Sequence, residues 1–228
     1  MHPAVFLGAR AALAAPAIAM GATFLAFGAA VREAGLSAGW ALACAWAVYG
    51  MPGQLVVLQS ASAGGGVIAT VVGAVAVNAR FLPMAVALTP WLRRRDGDTR
   101  PLLLAHFISI TTWAAAMRVL PDQPVSARLP WFAGFCAGAF LIAGASTVAG
   151  HVLAGAMPAP LRTALVFANP LYFALLMSAD LTRAGPRRAL LAGAAAAPLA
   201  LVLPPAWGLL AAGLIGGTVA FLIGHRRA

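Results

Sequence analysis

The chain predicts an all-α fold, a polytopic transmembrane helical bundle of about seven to eight helical segments. Three observations predict it. Of 228 residues, 62% are hydrophobic and only 9% are charged, whereas a soluble domain is about a quarter charged and under half apolar. Apolar runs of about 20 residues, the length a helix needs to cross a bilayer, recur along the whole chain. The runs are continuous and rich in Ala, Leu and Val, without the alternation of an outer-membrane barrel. Lipid offers the backbone no hydrogen-bond partner, so such runs must be helices.

The segments follow in order. The first covers about Ala11 to Val31 and stops at Arg32–Glu33–Ala34–Gly35. Ser37 caps the second, Ala38 to Ser60, because its hydroxyl can accept from the first turn. Inside it lies Gly50–Met51–Pro52–Gly53–Gln54, a glycine–proline cluster that should break or kink the helix. The third, Val67 to Leu92, follows the Gly64–Gly65–Gly66 turn and leads into the basic loop Arg93 to Arg100. The fourth is Pro101 to Leu120, the fifth Pro130 to Leu153 and the sixth Leu161 to Asp180. Two short segments, Ala189 to Leu203 and Trp207 to Gly224, flank Pro204–Pro205 and also read as one hairpin.

One transmembrane permease domain, 1–228, accounts for all of this. Sliding the chain by 91 positions puts Gly53 on Gly144, Gly64 on Gly155 and Asn78 on Asn169. That faint repeat would relate units 1–92 and 100–182, with a C-terminal hairpin over 187–225. Three spans per unit is an odd number, so the copies would be inverted, with broken helices at the centre. Orientation stays open, because the Arg93–Arg100 and Arg183–Arg188 loops are both basic.

The net charge of +10 comes from 15 basic residues, all arginine. They lie between spans and at the chain end, as headgroup contacts do. With no soluble face to carry them, a nucleic-acid partner is excluded. Cys44 and Cys136 lie within apolar spans and read as inert core thiols. Only Arg10 precedes the first apolar run and no cleavage site follows, so a signal peptide is not expected. No metal-ligand spacing, phosphate-cradling loop or pair of carboxylates within a span appears, so no metal, cofactor or enzyme activity is expected. Ser146 and His151 are five apart on a helix, facing different ways, and make no catalytic pair. Asp180 and Arg183 suggest a surface ion pair. Trp40, Trp91, Trp131 and Trp207 fall near segment ends, as an aromatic belt would.

The candidate site starts from Arg80. It sits mid-way in the apolar stretch Val67 to Leu92, where a guanidinium is costly unless it faces protein or water. Asn78 lies two residues earlier, about 200° round an ideal helix. Either the helix breaks there or the two side chains touch different neighbours. The second candidate is the Gly50–Gln54 cluster. A break at membrane depth frees backbone groups that can hold a polar substrate, and Gln54 adds an amide; a packing kink bonded by Gln54 is the plainer alternative. In segment four, His106, Ser109, Thr111 and Thr112 make a polar stripe that could line a pathway, His106 being able to titrate.

These residues resemble the AzlC family, the large subunit of branched-chain amino acid exporters. Gly8–Ala9–Arg10, Pro16, Gly21, Phe24, Phe27–Gly28 and Ala34–Gly35–Leu36–Ser37 are similar to its opening span and Gly-Leu-Ser turn. Gln54 falls where the family closes a small-residue motif. Asn78–Ala79–Arg80 with Leu82, Pro90 and Leu92–Arg93–Arg94 resembles its Asn-x-Arg signature, and Phe167–Ala168 with Pro170 to Leu176 its late span. Phe81 stands where the family commonly has His, and Met51–Pro52 where it has small residues. Ile110 and Thr111 occupy the positions of an acidic pair, so another coupling group, another substrate or a different way of working is implied.

The resemblance implies an inner-membrane permease exporting branched-chain or other hydrophobic amino acids by proton-coupled transport. It implies a small, four-span AzlD-type partner, and self-association is a further expectation. Substrate-binding residues would be Gly50, Gly53, Gln54, Asn78 and Arg80. Arg80 would meet the carboxylate, Gln54 with freed carbonyls the amine, and Asn78 would tie the broken segments together. His106 would couple protons. A passive channel for a small neutral solute, or a non-transporting subunit, are the alternatives.

Overall fold

The computed structural model describes residues 2–93, 99–179, 181–203 and 205–225. Arg94 to Asp98, Asp180 and Pro204 lie outside the described residues, and with them most of the basic loop, the expected Asp180–Arg183 pair and half of the Pro204–Pro205 divider. All elements among the described residues are helical, so the fold is all-α. The chain groups into two units, 1–74 with 78–169, and 75–77 with 170–228.

The first unit opens with α1 (Pro3–Ala12) and α2 (Ala15–Glu33). The single segment expected over Ala11 to Val31 is therefore two helices. Pro16 stands in the first turn of α2, where its missing N–H costs nothing, and it cannot continue α1. Ser37 caps α3 (Ala38–Ala47) by accepting from the Trp40 N–H at 3.1 Å. The chain breaks and resumes as α4 (Met51–Ser62). Helices α5 (Val67–Asn78) and α6 (Phe81–Leu92) meet at a 52° bend.

Segment four is a correction. In place of one helix there are α7 (Arg100–Leu103), a 3-10 turn (Ala105–Phe107) and α8 (Ile110–Val119). Ser109 is extended, accepts from the Thr112 N–H at 3.3 Å, and starts a new helix with a reciprocal capping box. Helix α9 (Val125–Leu153) begins five residues before Pro130, which is accommodated inside it. Helix α10 (Ala159–Ala179) follows. Gly144 and Asn169, the repeat-related positions, lie inside these two continuous helices.

Helix α9 is the post on which α1, α2 and α3 pack. Glycine makes the approach close on both sides. A Cβ on Gly28 would overlap the Thr147 carbonyl, and one on Gly150 the Leu25 carbonyl. Gly8 against Trp131 and Gly134 against Val5 repeat the pattern between α1 and α9. Such contacts suit helices in lipid, where van der Waals fit replaces the hydrophobic drive. Phe27, Phe132 and Phe135 fill the spaces beside them, each at most 1% exposed. Thr23 and Thr147 return their hydroxyls to the carbonyls of Ala19 and Ala143, both at 2.8 Å, so neither is left unpaired.

Among the described residues, Ala15–Glu33 and Val125–Ala156 are each long and apolar enough to cross a bilayer, and the bent pair Val67–Asn78 with Phe81–Leu92 makes a third if it is one span. In the second unit, α13 (Pro205–His225) packs on α11 (Ala184–Ala196) and α12 (Leu199–Val202).

Candidate functional site at three helix breaks

The first break lies between α3 and α4. Val48 leaves helical geometry at φ −113° and ψ 76°. The Gly50 N–H then donates to the Val48 carbonyl at 2.7 Å, a tight three-residue turn around Tyr49. A helix that stops here orphans the carbonyls of its last turn. Gln54, fully buried, repairs part of the loss: Nε2 donates to Val48 O at 2.8 Å and to Ala45 O at 3.4 Å. Both neighbours are carbonyl oxygens, so the amide nitrogen must face them. Oε1 is turned away, buried, with no partner among the described residues. An unpaired buried acceptor costs about 1–3 kcal/mol.

Trp46 O is the carbonyl Gly50 N–H would have reached had the helix continued. His106 reaches it from the third break, with Nε2 at 2.7 Å. A carbonyl can only accept, so Nε2 carries the hydrogen and Nδ1 is the nitrogen that can take up a proton. His106 itself is exposed.

The second break settles the question left by the spacing of Asn78 and Arg80: the helix is broken between them and α6. Asn78 packs directly on the first break. A Cβ on Gly53 would overlap its carboxamide nitrogen, and one on Gly50 would stand 2.9 Å from its Oδ1 and 2.7 Å from Phe81 Cε2. Glycine at 50 and 53 leaves room for these side chains; a Cβ at either position would make them shift. Asn78 Oδ1 and Arg80 Nε are also buried without a partner among the described residues. The Arg80 guanidinium carbon lies 5.2 Å from the Phe81 ring centroid, a cation–π contact that offsets some lost hydration. Phe81, the departure from the family pattern, thus has a place in the site.

Structure divides the polar stripe. Ser109 and Thr112 are occupied with each other, and Thr112 Oγ1 also donates to Phe107 O at 2.8 Å. Thr111 is 5% exposed and Thr112 is fully buried. His106 lies before the break, so it shares no helical face with them. Their bonds hold the third break, and His106 is the member that reaches the first, through Trp46 O and the Tyr49 ring.

Tyr49 and Trp46 are site residues that the sequence reading missed. The Tyr49 ring packs 5.7 Å from Phe140, 6.2 Å from His106, 6.3 Å from Phe107 and 6.4 Å from Phe24, with its buried hydroxyl unpaired among the described residues. Trp46 Nε1 donates to Phe140 O at 3.3 Å, fastening the break to α9. The available signal was position: a tyrosine immediately before the glycine of a helix break.

Elsewhere the assignments are plain. Cys44 and Cys136 are buried free thiols. His151 Nε2 donates to Leu36 O at 2.9 Å, a structural bond from α9 to the α2–α3 turn. Trp131 is 4% exposed, a core residue and not part of a belt; Trp91 carries the Arg128 guanidinium at 5.1 Å; the Trp207 side chain lies outside what is described. Among the described residues no group of three His, Cys, Asp or Glu could hold a metal.

A family model described as "AzlC protein" matches residues 16–157. The chain belongs to the AzlC family. The match covers all three breaks, while the similarities noted at Gly8–Arg10 and Phe167–Leu176 fall outside it. Membership gives this AzlC-family chain a transport-related role in a membrane and sets it in a family of transporters, not enzymes. No curated protein and no solved structure matches it.

Proposed function

We propose that the protein is a bacterial inner-membrane permease that exports branched-chain or other hydrophobic amino acids, with the substrate taken where the first two breaks meet. The observation that carries this reading is the mixture of unpaired buried atoms there. Gln54 Oε1 and Asn78 Oδ1 are acceptors, and Arg80 Nε is a donor. A zwitterion supplies both complements, with Arg80 facing the carboxylate. Glycine at 50 and 53 supports it by bringing the breaks into contact.

Proton coupling through His106 and assembly with a small four-span AzlD-type partner complete the proposal. The exposed His106 ring on Trp46 O supports the first, since protonation there bears directly on the end of α3. The second rests on the resemblance alone. Inverted repeats would place the broken α3–α4 and α5–α6 in one half. The test is efflux of leucine and valine from preloaded cells, with and without the partner. Saturable efflux lost in Arg80→Ala and Gln54→Ala at normal expression is expected. Unsaturable flux indifferent to an imposed pH gradient would indicate a passive channel, and full activity in both variants would remove the site.

A further inference from the structure

Three backbone carbonyls at the first break already accept hydrogen bonds. Ala45 O and Val48 O accept from Gln54 Nε2, and Val48 O also from the Gly50 N–H. Trp46 O is taken by His106. Beside them lie buried side-chain oxygens that have no partner among the described residues. Gln54 Oε1 cannot exchange places with its nitrogen, because the nitrogen faces two carbonyls. Asn78 Oδ1 lies against Gly50, one helical turn from Gln54 along the chain, and is equally without a partner among the described residues. Neither oxygen carries a formal charge. The acids within the described residues, Glu33 and Asp122, are both exposed.

We propose that Gln54 Oε1 and Asn78 Oδ1 form a neutral acceptor pair that binds the primary ammonium of the cargo. This rests on the permease reading and gives it a chemical rule. Asn78 becomes a ligand and not only a tie between segments. An uncharged pair recognises N–H groups by hydrogen bonds, not by a fixed opposite charge. It therefore takes a primary amine and disfavours a hydroxyl in its place, which donates one hydrogen and leaves one buried acceptor unpaired, or a fully methylated nitrogen, which donates none. Branched apolar amines lacking a carboxylate should bind there, more weakly than amino acids.

The experiment is equilibrium binding to the purified full chain with four probes: L-leucine, its 2-hydroxy analogue 2-hydroxy-4-methylpentanoate, N,N,N-trimethyl-leucine and 3-methylbutylamine. Wild type should bind leucine and the amine, and the other two at least roughly ten- to a hundred-fold more weakly, the worth of one charge-assisted hydrogen bond. Asn78→Leu and Gln54→Met, near-isosteric and without the acceptor, should each lower leucine affinity by a similar factor. The hydroxy analogue should change little, so the discrimination collapses. Asn78→Asp keeps the oxygen and adds charge, and should restore or tighten amine binding even if the other two variants fold poorly. Equal binding of leucine and its hydroxy analogue by wild type overturns the subsite while leaving the permease reading standing. Binding of the amine without leucine overturns the amino-acid cargo and keeps the subsite. Binding of none overturns both.

Discussion

Replacing Gly28 with alanine strikes one of the closest helix crossings among the described residues. The new Cβ would overlap the Thr147 carbonyl and stand 2.8 Å from the Thr147 carbonyl carbon and the His151 nitrogen, where ordinary contact begins at 3.4 Å. These are backbone atoms of α9, so no side chain can rotate away. The helices must part by roughly half an ångström or more, an overpacking strain of about 1–3 kcal/mol. His151 moves with α9, and its 2.9 Å bond to Leu36 O stretches; a lost bond to a buried group adds about 1–3 kcal/mol. Together Gly28→Ala should cost about 2–6 kcal/mol. Unfolding in mixed micelles, followed by tryptophan fluorescence, measures it. Gly150→Ala forces the same separation from the other side, since its Cβ would meet Leu25 O. The double variant should therefore cost clearly less than the two singles added, because one displacement relieves both. Additive costs, or a Gly28→Ala protein within about 0.5 kcal/mol of wild type, would refute the close crossing.

Other outcomes follow from the breaks. Gly53→Ala should lose leucine efflux while unfolding within about 1–3 kcal/mol of wild type, because its Cβ displaces the Asn78 carboxamide; transport assays paired with unfolding curves test it. His106→Gln can still donate to Trp46 O and should keep efflux down a leucine gradient but lose its response to an imposed pH gradient in proteoliposomes, whereas His106→Phe should lose both. Cys44 and Cys136 should resist a membrane-permeant maleimide in the folded protein and label once it is unfolded in detergent, read by mass spectrometry.

The helical class and the break at Gly50 were legible because composition and glycine–proline punctuation act locally. The bend at Asn78–Arg80 was legible only as one of two alternatives, since a buried polar pair is compatible with a straight helix between polar neighbours. Segment four misled because hydrophobicity continues across Ile108 and Ser109 while the backbone does not. Its signal, a serine followed three residues later by Thr112, is a weaker form of the capping box. The split at Leu13–Ala14 was announced by Pro16 but masked by alanines that favour helix on both sides. The direction of the Gln54 amide was beyond the sequence altogether, because it depends on which carbonyls a neighbouring turn exposes.

Helix α9 runs 29 residues without interruption and anchors three others, while the elements at the candidate site are cut short and joined by side chains. The severed ends at the first break are tied by bonds from Gln54 and His106, each reversible on its own. In the proposed permease, conformational work would fall on joints already cut, where there is no intact helical ladder to tear.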